Sequence, residues 1–279
     1  MHPKNPFISD YDFDELCRNH APLADFVFVN PYGNKTIKFA DNKAVIALNT
    51  ALLKANYNID WHIPESNLCP PIPGRLDYLL HIADLVSKEH VHMLDIGTGA
   101  SLIYPILGTS HFGWKCTASE VDRSSFGHAQ QLISQNPSLK DIEVRLQRYR
   151  NNILETIIRE GDRFDVIVCN PPFFKNQAQA EKDNRRKVKN LKLTETNTKN
   201  FGGNANELWF KGGEEAFIKQ MIKDSVRFSD QVGWFTSLIS KIDHVAPLKR
   251  AVKRVNPKEM HVVDMELGNK KSRFIAWRF

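Results

Sequence analysis

The chain has 279 residues, 42% of them hydrophobic and 25% charged, the balance of a soluble globular protein with a sizeable core. No run approaches the ~18 apolar residues of a membrane helix, and Met1-His2-Pro3-Lys4-Asn5-Pro6 lacks the apolar segment of a secretion signal. The net charge of +6 is uneven: residues 175–199 hold eight Lys/Arg against three acids and residues 241–279 ten against four, so the rest is acidic. Two basic segments on an acidic body point to a polyanionic partner rather than to general solubility.

Residues 1–90 read as helical and irregular, an N-terminal appendage. Asp41 is placed to cap a helix over Asn42–Asn56, with Val45, Leu48 and Leu52 on one stripe. A proline-rich connector, Cys69-Pro70-Pro71-Ile72-Pro73-Gly74, precedes a second amphipathic helix beginning at Arg75, with Leu76, Leu79, Ala83 and Val86 on one face. From residue 91 strands and helices alternate, which predicts a doubly wound parallel sheet over 91–279. Met93–Ile96, Lys115–Ser119, Ile142–Gln147 and Phe164–Cys169 are the first four strands. A helix over Gly213–Ser229 with Phe217, Met221 and Val226 buried leads to a fifth, Val232–Ile239. Met260–Leu267 and Arg273–Phe279, joined by Gly268-Asn269-Lys270-Lys271, read as a closing antiparallel hairpin. No internal repeat is present.

Cys17, Cys69, Cys116 and Cys169 show no C-x-x-C spacing and read as free thiols in a reducing cytoplasm. The ten histidines form no ligand cluster, and the closest pair, His90 and His92, brackets the start of a strand, so no metal is expected.

Two motifs carry chemistry. After the first strand comes Asp95-Ile96-Gly97-Thr98-Gly99-Ala100-Ser101, a turn whose glycines let a ligand approach the backbone. A third glycine for the dinucleotide fingerprint is missing, because Leu102 holds its place. Glu120, 25 residues beyond Asp95, can accept hydrogen bonds from ribose hydroxyls, with Asp122 a second candidate. After the fourth strand comes Asn170-Pro171-Pro172-Phe173, with Phe174 behind. Proline fixes its own backbone and restricts the residue before it, so this is a stiff stub beyond a strand end, where sheets of this kind bind ligands. Asn170 and Pro171 offer oxygen acceptors to the two hydrogens of a planar amino group, and Phe173 or Phe174 a stacking face. Glycine turn, acid and stub in this order are the layout of amino-methyltransferases using S-adenosylmethionine. An adenine reaching such a pocket must be unstacked or flipped. Lys175, Arg185, Arg186, Lys187 and Lys189 follow at once and point to RNA.

The chain resembles the bacterial 23S ribosomal RNA adenine-N6 methyltransferases and, more distantly, the eukaryotic U6 small nuclear RNA adenine-N6 methyltransferases. The resemblance covers nearly the whole chain. It rests on Met1–Asn5, Leu68–Arg75, Asp95–Ser101 with Ile103-Tyr104-Pro105, Asn170–Phe173, Asn200-Phe201-Gly202-Gly203, Glu207-Leu208-Trp209, Gly212-Gly213-Glu214 and Ser272–Trp277. It implies a class I methyltransferase fold, S-adenosylmethionine as cofactor and one adenine of 23S rRNA, adenine 1618, as target. It also implies Arg75 on the cofactor's carboxylate, Ser101 at its methionine end, Glu120 on its ribose, Asn170 between cofactor and adenine, Phe173 on the base, and residues 175–203 over the RNA. The partner would be 23S rRNA or a precursor of the large subunit, and the protein a monomer. The sequence admits two other readings. A protein glutamine-N5 methyltransferase uses a similar pocket, but the phenylalanine and the basic run after it argue against that. A non-catalytic RNA-binding protein would not need the intact glycine turn, Glu120 and Asn170.

Overall fold

The computed structural model describes residues 1–64, 67, 69–149, 152–173, 209–267 and 270–279. The N-terminal third contains α1 (Phe13–Asn19), the short antiparallel pair β1 (Phe28–Val29) and β2 (Lys35–Thr36), α2 (Asn42–Tyr57) and α3 (Ile72–Val86). Asp41 caps α2 as expected, accepting from the Lys43 N–H at 2.9 Å. The β1–β2 pair was not expected.

The second helix starts three residues earlier than predicted, at Ile72 rather than Arg75. Proline is tolerated in a first turn because its missing N–H has no helical partner there, so Pro73 does not delay the start. Pro71 cannot cap the helix through its side chain. Asn49 of α2 does so instead, its Oδ1 accepting from the Ile72 N–H at 3.1 Å. The extreme N-terminus clamps the same turn. The His2 N–H donates to Asp77 Oδ1 at 2.7 Å, and Asn5 Nδ2 donates to the Pro73 carbonyl at 3.0 Å and to Asp77 Oδ1 at 3.1 Å.

The remaining elements are β3 (His92–Ile96), α4 (Ile103–Phe112), β4 (Lys115–Glu120), α5 (Arg123–Gln135), β5 (Glu143–Leu146), β6 (Phe164–Cys169), α6 (Gly213–Ser225), β7 (Val232–Ile239), α7 (Val245–Arg254), β8 (Glu259–Leu267) and β9 (Lys270–Arg278). They form a seven-stranded sheet in the order β5-β4-β3-β6-β7-β9-β8. The first five strands of that order are parallel, and β9 runs antiparallel between β7 and β8. The expected hairpin is present, with both strands longer than predicted. Gly268 and Asn269 between them lie outside the described residues.

The sheet is buried on both faces, and its side chains alternate between two cores. Along β6, Val166 and Val168 face one core while Ile167 and Cys169 face the other. The first core also takes in Leu48, Leu52, Leu76 and Leu79 of α2 and α3. Tyr78 of α3 is fully buried, its hydroxyl 2.6 Å from Thr236 Oγ1, which in turn donates to the Ile167 carbonyl at 2.7 Å. The N-terminal third is thus hydrogen-bonded into the middle of the sheet. In the second core α6 contributes Ile218, Met221 and Ile222. Val226, expected to be buried, is 45% exposed. The helix tightens into a 3₁₀ turn at Val226–Phe228, and the buried stripe ends there. Among the described residues all four cysteines are free, with Cys69, Cys116 and Cys169 buried. His92 sits at the start of β3, its N–H held by Asp165 at 2.9 Å. No helix among the described residues is long and apolar enough to cross a membrane.

Candidate active site

A single cleft runs along the carboxyl edge of the sheet, where β3, β4 and β6 end. Arg75, Gly97, Gly99, Ser101, Glu120, Asn170, Pro171 and Phe173 all line it. Eight residues singled out from four separate stretches of sequence therefore meet in one place.

The glycine turn forms its floor. Gly97 and Gly99 have φ of 75° and 64°, a region open to glycine at little cost, and Leu102 follows at 51° to start α4. A Cβ at Gly97 would meet nothing within 4 Å, so the missing side chain leaves the backbone bare to the cleft. Gly97 and Thr98 donate their N–H groups to the Ser119 carbonyl at 3.0 and 2.9 Å, which ties the turn to the end of β4. The N-terminal third braces it from outside, with Trp61 Nε1 donating to the Ser101 carbonyl at 2.9 Å.

Glu120, the last residue of β4, is only 4% exposed. Its Oε2 accepts from the Gly99 N–H at 2.7 Å and its Oε1 from the N–H groups of Val121 and Asp122 at 2.7 and 2.8 Å. These bonds fix the carboxylate at the cleft wall. Asp122, the other sequence candidate, caps α5 through the Ser125 N–H at 2.9 Å.

Asp95 lies beneath the floor and does not line the cleft. It is 1% exposed, and neither carboxylate oxygen has a hydrogen-bond partner among the described residues. Burial pushes its carboxyl up to about 7; the neighbouring Glu120 adds to this, while Thr98 and Arg75 oppose it. Arg75 reaches the cleft from the first turn of α3. Its Nη1 donates to the Tyr104 hydroxyl at 3.1 Å, and the guanidinium stands 5.6 Å from that ring's centroid. Burial pushes the Tyr104 phenol up to about 12, so it stays neutral beside the arginine.

The opposite wall is apolar. Asn170 is half-buried just beyond β6, Pro171 is buried, and Phe173 is partly exposed. Trp209, Phe210 and Phe217 complete this wall, with the Phe210 and Phe217 rings edge to face at 5.2 Å. Sequence reading missed these three as site residues, although Trp209 belongs to a quoted motif. It also missed Gln147, Asn152 and Ile153, which line the cleft beyond β5. The Gln147 N–H donates to the Glu120 carbonyl at 2.7 Å, and its Oε1 accepts from the Tyr149 N–H at 2.9 Å. A polar residue immediately past a strand gives little signal by itself. Phe174, Lys175, Arg185, Arg186, Lys187 and Lys189 lie outside the described residues, as do Leu68 and 200–208. No group of three or more metal-ligating side chains occurs among the described residues.

A parallel sheet closed by an inserted antiparallel strand, with a glycine turn, an acid and an Asn-Pro-Pro-Phe stub at its carboxyl edge, defines a class I methyltransferase. A model of the RNA methyltransferase family matches residues 1–279, and the chain belongs to that family. It is 45% identical over 285 residues to ribosomal RNA large subunit methyltransferase F of Christiangramia forsetii, covering the whole of both chains. It is 44% identical to the protein of that name from Pseudoalteromonas translucida, covering 100% of this chain and 93% of the other. Among solved structures, the human METTL16 catalytic domain in complex with the MAT2A 3′UTR hairpin 1 superimposes with a TM-score of 0.86 at 30% identity, covering 100% and 95% of the two chains. The N-terminal domain of human METTL16 in complex with SAH gives 0.81 at 27% identity, covering 100% and 98%.

Proposed function

We propose that this chain transfers a methyl group from S-adenosylmethionine to the N6 amino group of one adenine in 23S ribosomal RNA, as a cytoplasmic monomer acting on the rRNA or a large-subunit precursor and using no metal. One observation carries the reading: a single cleft joins the glycine turn, Arg75 and Glu120 to the Asn170-Pro171-Pro172-Phe173 stub. The residues on its polar side suit that cofactor. Arg75 has only a phenol hydroxyl as hydrogen-bond partner among the described residues, so guanidinium donors remain for a carboxylate. Gly97 leaves bare backbone where the methionine part and ribose would lie, with Gly99 and Ser101 beside it. Glu120 stands where ribose hydroxyls would donate. Asp95, buried behind the turn without a partner, favours positive charge in front of it.

The cofactor supplies an electrophilic methyl on a sulfonium. This chain's residues supply the geometry. The adenine amino group is a poor nucleophile because its lone pair is delocalised into the ring. The Asn170 side-chain oxygen and the Pro171 carbonyl accept its two hydrogens and favour a tetrahedral nitrogen. Pro171 and Pro172 keep those acceptors from moving, which is preorganisation rather than general-base catalysis. Phe173 stacks on the flipped base, and Trp209 and Phe210 exclude water around it. Residues 175–203 would cover the RNA.

The test is methyl transfer from labelled cofactor to 23S rRNA, with mass mapping of the modified nucleosides. One N6-methyladenosine, at adenine 1618, is the expected product. Label appearing instead on a glutamine of release-factor protein would replace this reading with the glutamine-N5 one.

A further inference from the structure

The basic C-terminal stretch divides into two unlike parts in three dimensions. In the β8–β9 hairpin three cations have partners: Arg273 pairs with Asp264 at 3.2 Å, Lys271 with Glu266 at 3.3 Å, and Arg278 with Glu259. On α7 and its flanks they do not. Lys241, Lys249, Arg250, Lys253, Arg254 and Lys258 are all exposed, and none has an ion-pair partner among the described residues.

Two features distinguish this ridge from an ordinary solvated face. The first is the helix itself. Leu248 and Val252 anchor α7 to the core, while Lys249 and Lys253, and Arg250 and Arg254, stand four residues apart with no acid in the helix to offset them. Like charges at that spacing destabilise a helix. The helix dipole compensates Lys253 and Arg254 in the last turn but not Lys249 and Arg250.

The second is position. β7 runs parallel to β6, so Ser240 and Lys241 leave the sheet on the same edge as Asn170. A groove beside Phe173 is lined by Lys241, His244, Lys219 and the start of α6. Glu214, 1% exposed, accepts from the Ser240 N–H at 2.7 Å and from His244 Nδ1 at 2.5 Å, pinning this turn against α6. The ridge therefore begins at the stacking phenylalanine and follows α7 for about 15 Å.

We propose that the turn over residues 240–244 and the exposed face of α7 form an RNA track separate from residues 175–203, on which phosphates of the strand flanking the target adenine lie. This inference rests on the proposed function. Its test uses the full chain and a 23S rRNA fragment containing the target adenine, with affinity measured between about 0.05 and 0.3 M salt. Replacing Lys249, Arg250, Lys253 and Arg254 together by Gln should lower the salt slope by about two to four and weaken binding roughly tenfold or more at low salt. The thermal midpoint should hold or rise, because the like-charge repulsion along α7 is removed, and calorimetric affinity for S-adenosylmethionine should stay unchanged. If the fourfold variant folds poorly, Lys249→Gln with Arg250→Gln should lower the slope by about one to two. Photo-crosslinking of the wild-type complex should mark peptides within 241–254. A wild-type slope in a folded variant, or crosslinks confined to other segments, overturns the track. A wild-type chain that neither binds nor methylates the fragment overturns the functional reading instead.

Discussion

On the proposed cofactor side of the cleft, the turn after β3, the end of β4 and the start of α3 present bare glycine backbone, a buried acid and a guanidinium. On the proposed target side, the stub after β6, the segment before α6 and α6 itself present two prolines and four aromatic rings. The first wall selects by charge and hydrogen bonding, so its affinity should follow protonation. The second selects by shape and stacking and should be nearly indifferent to pH. Asn170, proposed to face both cofactor and adenine, has the most to lose.

Asn170→Ala should therefore have the largest effect. Loss of a preorganised polar group at the reacting centre costs about 10²–10³ in turnover. Cofactor and RNA affinities should change by no more than about threefold. Single-turnover methyl transfer beside calorimetry separates these, and near-normal turnover would end the proposed role.

The next effect tests the polar wall. The Asp95 carboxyl sits near 7, raised by burial well above its value in the unfolded chain. Its contribution to apo stability is therefore fully present below about pH 4 and is lost as pH rises to about 7. A cationic ligand in front of the turn favours the ionised form. Cofactor affinity should then rise with pH through about 7, with proton release on binding near neutrality. Asp95→Asn should flatten both trends. Calorimetry in buffers of different ionisation enthalpy measures the released proton, and no release between about pH 6 and 7.5 would place Asp95 outside the cofactor's field. The apolar wall gives the contrasting case. Phe173→Ala should cost about 1–3 kcal/mol of base stacking, with no change in the pH profile. RNA-binding and transfer kinetics unaffected by this change would move the stacking role to Phe174 or to the Trp209–Phe210 wall.

The parts of this site legible in the sequence are those fixed locally. Gly97, Gly99, Glu120 and Asn170–Phe173 each stand at or just beyond a strand end, and a parallel sheet brings strand ends to one edge whatever lies between them. Residues placed by distant packing were not legible. Nothing near Gln147 or Phe217 announces a cleft, because those side chains reach it only once β5 and α6 have docked. Arg75 needed the family resemblance, since by itself it is one charge in the first turn of a helix. The charge pattern at residues 241–279 does not reveal which cations are paired: three of its ten Lys/Arg meet acids across the β8–β9 hairpin, where antiparallel pairing sets acids beside bases.

The smallest expected effect concerns how the N-terminal third sustains the polar wall. His2 and Asn5 touch neither wall. They hold Pro73 and Asp77, on either side of Arg75, and Asn5 Nδ2 makes two of those bonds within a buried turn. Asn5→Ala removes both donors and leaves the Pro73 carbonyl without that partner, a loss of about 1–3 kcal/mol in stability. Only the part of this loss that frees Arg75 reaches the cleft, so affinity for S-adenosylmethionine should fall by about three- to tenfold. Among the described residues the long-range hydrogen bonds of His2 and Asn5 go to α3 and not to the apolar wall, so RNA affinity and saturated turnover should hold. Thermal melts and separate titrations of cofactor and RNA distinguish these outcomes. Equal losses for both ligands would mean that the N-terminal clamp supports the fold as a whole rather than the arginine.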